Sequence, residues 1–263
     1  MNRVISMFVI ASLMLISFNS CEKVSEAPGG IPGMGETPGE LEISEPFVPP
    51  NGVTYEVMGG QELTLTNVAS SAQTGLKSVS DNSKEKIYGS GGSIHNNKFR
   101  FWIIVKLKFT NISNKDRRIT LKEGMIFKVV EKGYQNGILL KKVIFYVRKH
   151  TIRTVSILAY CVNRGRNGSN ENLHYTIPGV TKSKIMWEEL LESLKGRQVN
   201  IENFIEQTPS PSLKSVNAGG LEKYKEIADH LQNMVWTLTN DGKKLSQEQR
   251  DFIQTIPFVE EEN

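Results

Sequence analysis

From Val53 to Cys161 the chain is written mostly in short apolar runs, several of them alternating with polar residues. Glu62-Leu63-Thr64-Leu65-Thr66-Asn67-Val68 alternates, which predicts a half-buried strand. The run Phe99–Phe109 is longer and rich in β-branched and aromatic residues, and its second half (Val105-Lys106-Leu107-Lys108-Phe109) alternates. Asn111–Asp116 then reads as a turn. Further strands are predicted at Arg118–Leu121, Met125–Val130 and Val143–Val147, with a turn or bulge at Gly124 and punctuation at Asn136-Gly137. Thr154–Cys161 closes the series. Residues 70–97 are polar and glycine-rich and are expected to form a long loop. Short strands at this spacing predict an antiparallel β-sandwich.

After Pro178 the period changes from two to between three and four. Ile185, Met186, Trp187, Leu190, Leu191 and Leu194 form a stripe over Ser183–Lys195, with Gly196 at a stop position. A longer helix is predicted over Leu221–Leu238. Its buried face would carry Leu221, Tyr224, Ile227, Ala228, Leu231, Met234, Val235 and Leu238. Ser246-Gln247-Glu248-Gln249 has the form of a capping box opening a last short helix that stops near Pro257. The expected fold class is therefore α+β: a β-sandwich over residues 53–180, followed by a C-terminal helical subdomain over 181–263.

The first 52 residues differ from both parts. Residues 1–20 carry one cation, Arg3, then an apolar run from Val4 to Phe18, and end on small Ser20. That run is short for a membrane span and has the order of an export signal. Cys21 follows immediately. A cysteine at this place resembles the lipobox of bacterial lipoproteins. The resemblance implies cleavage before Cys21, acylation of Cys21 (palmitate among the expected chains), and a lipid-anchored exported protein on the outer membrane or cell surface. Residues 21–52 then repeat Pro and Gly, in Ala27-Pro28-Gly29-Gly30, Pro32-Gly33-Met34-Gly35 and Pro49-Pro50-Asn51-Gly52. This composition predicts an extended tether between lipid and domain.

Charge narrows the partners. With 32 Lys+Arg against 28 Asp+Glu the net charge is +4, and removal of residues 1–20 lowers it by one. So balanced a chain does not predict nucleic-acid binding by bulk charge. The expected partners are the membrane, through lipid on Cys21, and a surface protein or glycan.

Only two cysteines are present. If Cys21 carries lipid, Cys161 has no disulfide partner within the chain. It stands at a strand end before Asn163-Arg164-Gly165-Arg166, where two guanidiniums would favour a thiolate. The plain alternative is a core-filling thiol. Gln232, in Leu231-Gln232-Asn233-Met234-Val235-Trp236, falls at the edge of the apolar stripe beside Ala228, Val235 and Trp236. There it must find a hydrogen-bond partner or bear its desolvation, unless it is half exposed.

Taken together, Tyr160-Cys161-Val162-Asn163 and Leu231–Trp236 resemble the two motifs of the thioester domains of bacterial surface adhesins. The resemblance implies that Cys161 and Gln232 condense with loss of ammonia into an internal thioester, lying between a β-rich and a helical part. It also implies covalent adhesion when a surface nucleophile opens that bond. Tyr160 and Trp236 would be the sheltering aromatics. The chemistry is coherent by itself, since a stored acyl group needs a thiol and a carboxamide in contact and away from water.

Other readings are weaker. A cysteine hydrolase would need a histidine beside Cys161, and His174 is the best placed in sequence. No two histidines have metal-ligand spacing, so no metal or other cofactor is expected. Gly89-Ser90-Gly91-Gly92 lacks the phosphate-loop pattern and reads as a flexible loop. The basic stretch of Lys141, Lys142, Arg148, Lys149, His150 and Arg153 reads as a solvated strand face or an anionic-glycan site. Adhesion or ligand binding, rather than turnover, is the expected role, with a non-covalent binding or assembly module as the alternative.

Overall fold

The computed structural model describes residues 30–62, 86–205 and 218–259. The expected signal segment, Cys21, the predicted strand beyond Glu62 and the acidic Glu260-Glu261-Glu262 end lie outside these residues.

Eleven strands are described. They are β1 (Val53–Gly60), β2 (Lys86–Gly89), β3 (Ser93–His95), β4 (Lys98–Arg100), β5 (Ile103–Asn111) and β6 (Arg117–Leu121). Then come β7 (Met125–Val129), β8 (Gly137–Ile138), β9 (Val143–Val147), β10 (Thr151–Cys161) and β11 (Tyr175–Val180). A seven-stranded sheet runs β1-β5-β10-β8-β7-β11, with β2 also on β10; β3–β4 and β6–β9 form two-stranded sheets. Every pairing is antiparallel except β2 on β10. The two ends of the large sheet approach each other, where Gly60 N–H donates to the carbonyl of Leu173 just before β11 (2.8 Å). The sheet is thus a nearly closed, barrel-like wall, and the protein is β-rich with a few helices.

β10 shows why the sheet needs a cover. From Val155 to Cys161 every residue is buried. Val155, Ile157, Ala159 and Cys161 enter one core cluster with β5 and β9, while Leu158 and Tyr160 enter the clusters shared with the helices. Alternation along a strand sends neighbours to opposite faces. A strand apolar on both faces must be covered on both.

The cover is helical. A short α1 (Lys184–Met186), capped by the Ser183 hydroxyl, widens into a π-type turn over Trp187–Leu191. The regular helix expected over Ser183–Lys195 is therefore shorter and irregular. Its apolar stripe still holds, with Met186, Leu190, Leu191 and Leu194 all buried. After a 3-10 turn (Ile201–Asn203) comes α2 (Ala218–Thr239), the long helix of the predicted stripe. Tyr224, Ile227, Ala228, Leu231, Met234, Val235 and Leu238 of that stripe are buried. α3 (Gln247–Thr255) opens on the predicted capping box of Ser246 and Gln249.

Four further expectations differ from the structure. The long strand over Phe99–Phe109 is two, β4 and β5, separated at Phe101-Trp102. Within the expected 70–97 loop, residues 86–89 and 93–95 are strands. β11 lies in a stretch not read as a strand. The chain from residue 30, expected to run as a free spacer, packs on the domain. Ile31 and Met34 are buried in the helix-side core, and Ile43 bridges Thr181. Pro and Gly suppress regular structure there without preventing two apolar side chains from docking.

Candidate functional site

Cys161 is the last residue of β10. The β5 ladder on β10 ends at Ala159↔Ile103, two residues earlier. Gln232 of α2 supplies what the ladder no longer does. Cys161 N–H donates to Gln232 Oε1 (3.0 Å), and Gln232 Nε2 donates to the Cys161 carbonyl (2.8 Å), across 71 residues of sequence. A side-chain carboxamide has one donor end and one acceptor end, so it can pair both main-chain groups of one residue, as a strand neighbour would. Both residues are fully buried. Gln232 is thus within the packed face of α2 instead of at its edge, and its partner is the peptide of Cys161.

The thiol sits in the strand-side core and donates to the Asn163 carbonyl (3.4 Å). Burial is the dominant influence and pushes it up to about 12, outweighing the Trp236 indole, the Asn163 backbone, Arg166 and Arg164, which all favour the thiolate. The two arginines therefore do not make a thiolate here, contrary to the sequence expectation. Arg164 pairs with Asp241 (3.1 Å) and Arg166 with Glu36 (3.2 Å).

Trp236 lies one helical turn beyond Gln232. Its ring packs on the core that contains Cys161 and leans on Trp102, with ring centroids 6.4 Å apart and planes at 58°. The Arg164 guanidinium lies 5.1 Å from the Trp236 ring centroid. The indole N–H groups of Trp102 and Trp236 are both buried and make no well-formed hydrogen bond, while the Trp236 N–H acts on the Cys161 sulfur. Tyr160, the other aromatic expected to shelter the thiol, belongs to the helix-side cluster on the opposite face of β10.

The loop after Cys161 is braced. Asn163 Oδ1 accepts from Asn136 N–H (3.0 Å), and Asn163 Nδ2 donates to the Gly35 carbonyl (2.7 Å). Gly35 N–H donates to the Val162 carbonyl (2.7 Å). Gly35 has φ 58°, and a Cβ there would lie 2.1 Å from the Thr239 carbonyl oxygen, so only glycine lets this segment pass between the loop and the end of α2. Neither Trp102 nor the Gly35 brace was singled out from sequence. The Trp102 signal was its place in a strand-like run, and the Gly35 signal was two isolated apolar residues, Ile31 and Met34, among Pro and Gly.

At the other end of α2 stands a second reciprocal contact. Gly91 N–H donates to Tyr224 Oη (3.2 Å), and the Tyr224 hydroxyl donates to the Gly91 carbonyl (3.1 Å). Asp229 accepts from Ile94 N–H (2.8 Å) and from the Ser93 hydroxyl (2.5 Å). The Gly89–Gly92 stretch is held by these contacts and is not a free loop. Gly89 N–H donates to Glu202 (2.9 Å), whose carboxyl burial pushes up to about 7.

The remaining candidates are placed as follows. His174 pairs with Glu131 through Nδ1 (2.6 Å), and its side chain is 79% exposed. His230 stacks on Phe252, with centroids 3.8 Å apart. No histidine hydrogen-bonds the Cys161 thiol among the described residues. In the basic stretch, Arg153 donates to Tyr88 Oη (2.6 Å) and lies over the Phe145 ring, and Lys141 donates to the Leu194 carbonyl (3.1 Å). Among the described residues no group of three His, Cys, Asp or Glu could hold a metal ion, and no helix is long and apolar enough to cross a membrane. No protein-family model matches the chain, and no curated protein or solved structure matches it.

Proposed function

We propose that the protein is a lipid-anchored adhesion module that stores an internal thioester between Cys161 and Gln232 and spends it on a nucleophile of a partner surface. One observation carries this reading. The carboxamide of Gln232 is seated on the peptide of Cys161, with both residues out of water. In the condensation the Cys161 sulfur forms a bond to Gln232 Cδ, and the amide nitrogen leaves as ammonia with the thiol proton. The Cys161 N–H on Oε1 polarises that carbonyl and would stabilise the oxyanion as the carbon becomes tetrahedral. When a nucleophile attacks, the same N–H again faces the developing charge. The target then becomes the acyl partner of Gln232, and Cys161 returns to the thiol.

Export through residues 1–20, acylation at Cys21 and display at the outer membrane or cell surface complete the reading and rest on the sequence pattern. The partner is a surface protein or glycan, not nucleic acid. The β part is read as sandwich-like, because β6–β9 contribute Ile119, Leu121, Val143, Phe145 and Val147 to the core that β5 and β10 fill from the other side.

Intact mass of the folded, reduced protein tests the thioester. The expected mass is one ammonia below that of the sequence, methylamine should add to it, and Cys161→Ala should remove both effects. Full mass with no methylamine uptake overturns the covalent reading. The second reading, a non-covalent binding or assembly module, is favoured by the same two hydrogen bonds taken alone, since they satisfy Gln232 as a brace between α2 and β10. That outcome of the mass measurement would select it.

A further inference from the structure

Beside the candidate bond lies a buried donor without a well-formed hydrogen bond. Trp236 follows Gln232 by four residues, so their side chains leave α2 on one face, a turn apart. The Trp236 ring packs on the core that holds Cys161 and is fixed by Trp102 on one side and the Arg164 guanidinium on another. Its N–H makes no well-formed hydrogen bond, and the Cys161 sulfur is the group it acts on. Indole nitrogen can only donate, and a buried unpaired donor is costly, so its retention calls for a reason.

We propose that the Trp236 indole N–H is the hydrogen-bond donor that receives the Cys161 sulfur when the thioester opens. This rests on the thioester reading of the same site. A thioester sulfur is a poor acceptor, and a thiolate is a strong one. The donor's contact with sulfur therefore strengthens as charge develops, which is the condition for accelerating a step. With an amine as nucleophile, its nitrogen lone pair forms the C–N bond to Gln232 Cδ. The C–S bond breaks with its electron pair going to sulfur, where the indole N–H meets it. The proton lost by the attacking nitrogen then passes to sulfur, leaving an amide and a thiol. The indole already favours the thiolate over the thiol in the present arrangement, against the effect of burial.

The test is Trp236→Phe, which keeps a ring and removes the N–H, with Trp102→Phe as the control for loss of an indole at the same place. Wild type, Trp236→Phe and Trp102→Phe are compared by intact mass and by the rate of methylamine uptake. The expected result is an ammonia deficit in all three, with uptake slowed about tenfold or more in Trp236→Phe alone. The released thiol gives a readout that altered packing would not mimic. After methylamine opening, thiolate ultraviolet absorbance should appear at higher pH in Trp236→Phe than in wild type. An ammonia deficit with unchanged rate and unchanged thiol titration overturns this proposal and leaves the thioester standing. Absence of the deficit in wild type overturns both. Should Trp236→Phe not fold, a ring-fluorinated tryptophan, whose N–H is more acidic, can be incorporated into the Trp102→Phe protein. Faster uptake is then expected, and an unchanged rate counts against the donor role.

Discussion

α2 meets the sheet through two contacts of the same form, two helical turns apart. At one, Tyr224 gives and takes a hydrogen bond with the N–H and C=O of Gly91. At the other, Gln232 does the same with Cys161. Both satisfy main-chain groups that no strand pairs, and both fix the helix to the wall. They differ in what hangs from the clamped residue. Gly91 must be bare, since a Cβ would fall 2.2 Å from the Ala159 carbonyl oxygen. Cys161 instead carries a thiol, and the carboxamide that clamps its peptide is the other half of the proposed bond. The same brace is inert with a phenol on glycine and a possible acyl store with an amide on cysteine. Under the proposed reading, the difference lies in which residues fill a recurring geometry.

The comparison can be broken most sharply by Cys161→Ala and Tyr224→Phe. The first should abolish methylamine uptake completely, and the second should leave uptake intact. Loss of uptake in both would mean that the two clamps act as one unit. Gln232→Ala should come next in size, because it strands a buried N–H and a buried C=O. The expected loss is roughly 2–6 kcal/mol of unfolding free energy, read from denaturant titration in the Cys161→Ala background so that no covalent bond contributes. Tyr224→Phe strands the Gly91 pair alike but keeps its ring and opens no cavity, with a loss at the lower end of that range, ~2–3 kcal/mol, in the same titration. The smallest effect concerns pH. Glu202 sits at the Gly91 end, and its folded carboxyl is raised from 4.5 to about 7, so the folded state holds the proton more tightly than the unfolded chain. That contribution is complete below about 4.5 and is lost as pH rises towards about 7. A decline of ~1–2 kcal/mol across that window is expected after allowing for hydration of the partly exposed residue, and Glu202→Gln should flatten it. A slope unchanged by Glu202→Gln would place the titrating group elsewhere.

Most elements legible in the sequence are one-sided in burial, while β10, buried on both faces, was legible from its length and β-rich composition. β9 was readable from Val143-Ile144-Phe145-Tyr146-Val147, and α2 from a stripe that keeps its period for five turns. The capping box at Ser246 was readable because both of its bonds are local. The misses have other causes. β11 contains Pro178-Gly179, and its pairing with β7 shifts register between Thr176 and Gly179, so neither composition nor alternation marks it. β2 offers two apolar residues, Ile87 and Tyr88, and pairs in parallel with a strand far along the chain. No local pattern announces such a partner. At the site, Cys161 and Gln232 were visible as residue types in motifs, while the form of their contact was not. That the amide would meet the peptide of Cys161 depends on where the β5 ladder stops, which is a property of the assembled sheet. The expected effect of Arg164 and Arg166 failed for a related reason: both still favour the thiolate, and the burial of Cys161 in the assembled core outweighs them.

Gly35 gives the molecule a direction for mechanical load. Among the described residues, its N–H on Val162 is the first main-chain bond from the N-terminal segment to the loop that follows Cys161, and its carbonyl holds Asn163. Tension drawn along the chain from its N-terminal side enters the fold next to Cys161, and it arrives before any strand of the sheet is reached. Val162 and Asn163, the two residues that follow the thiol, stand between that pull and the clamp of Gln232.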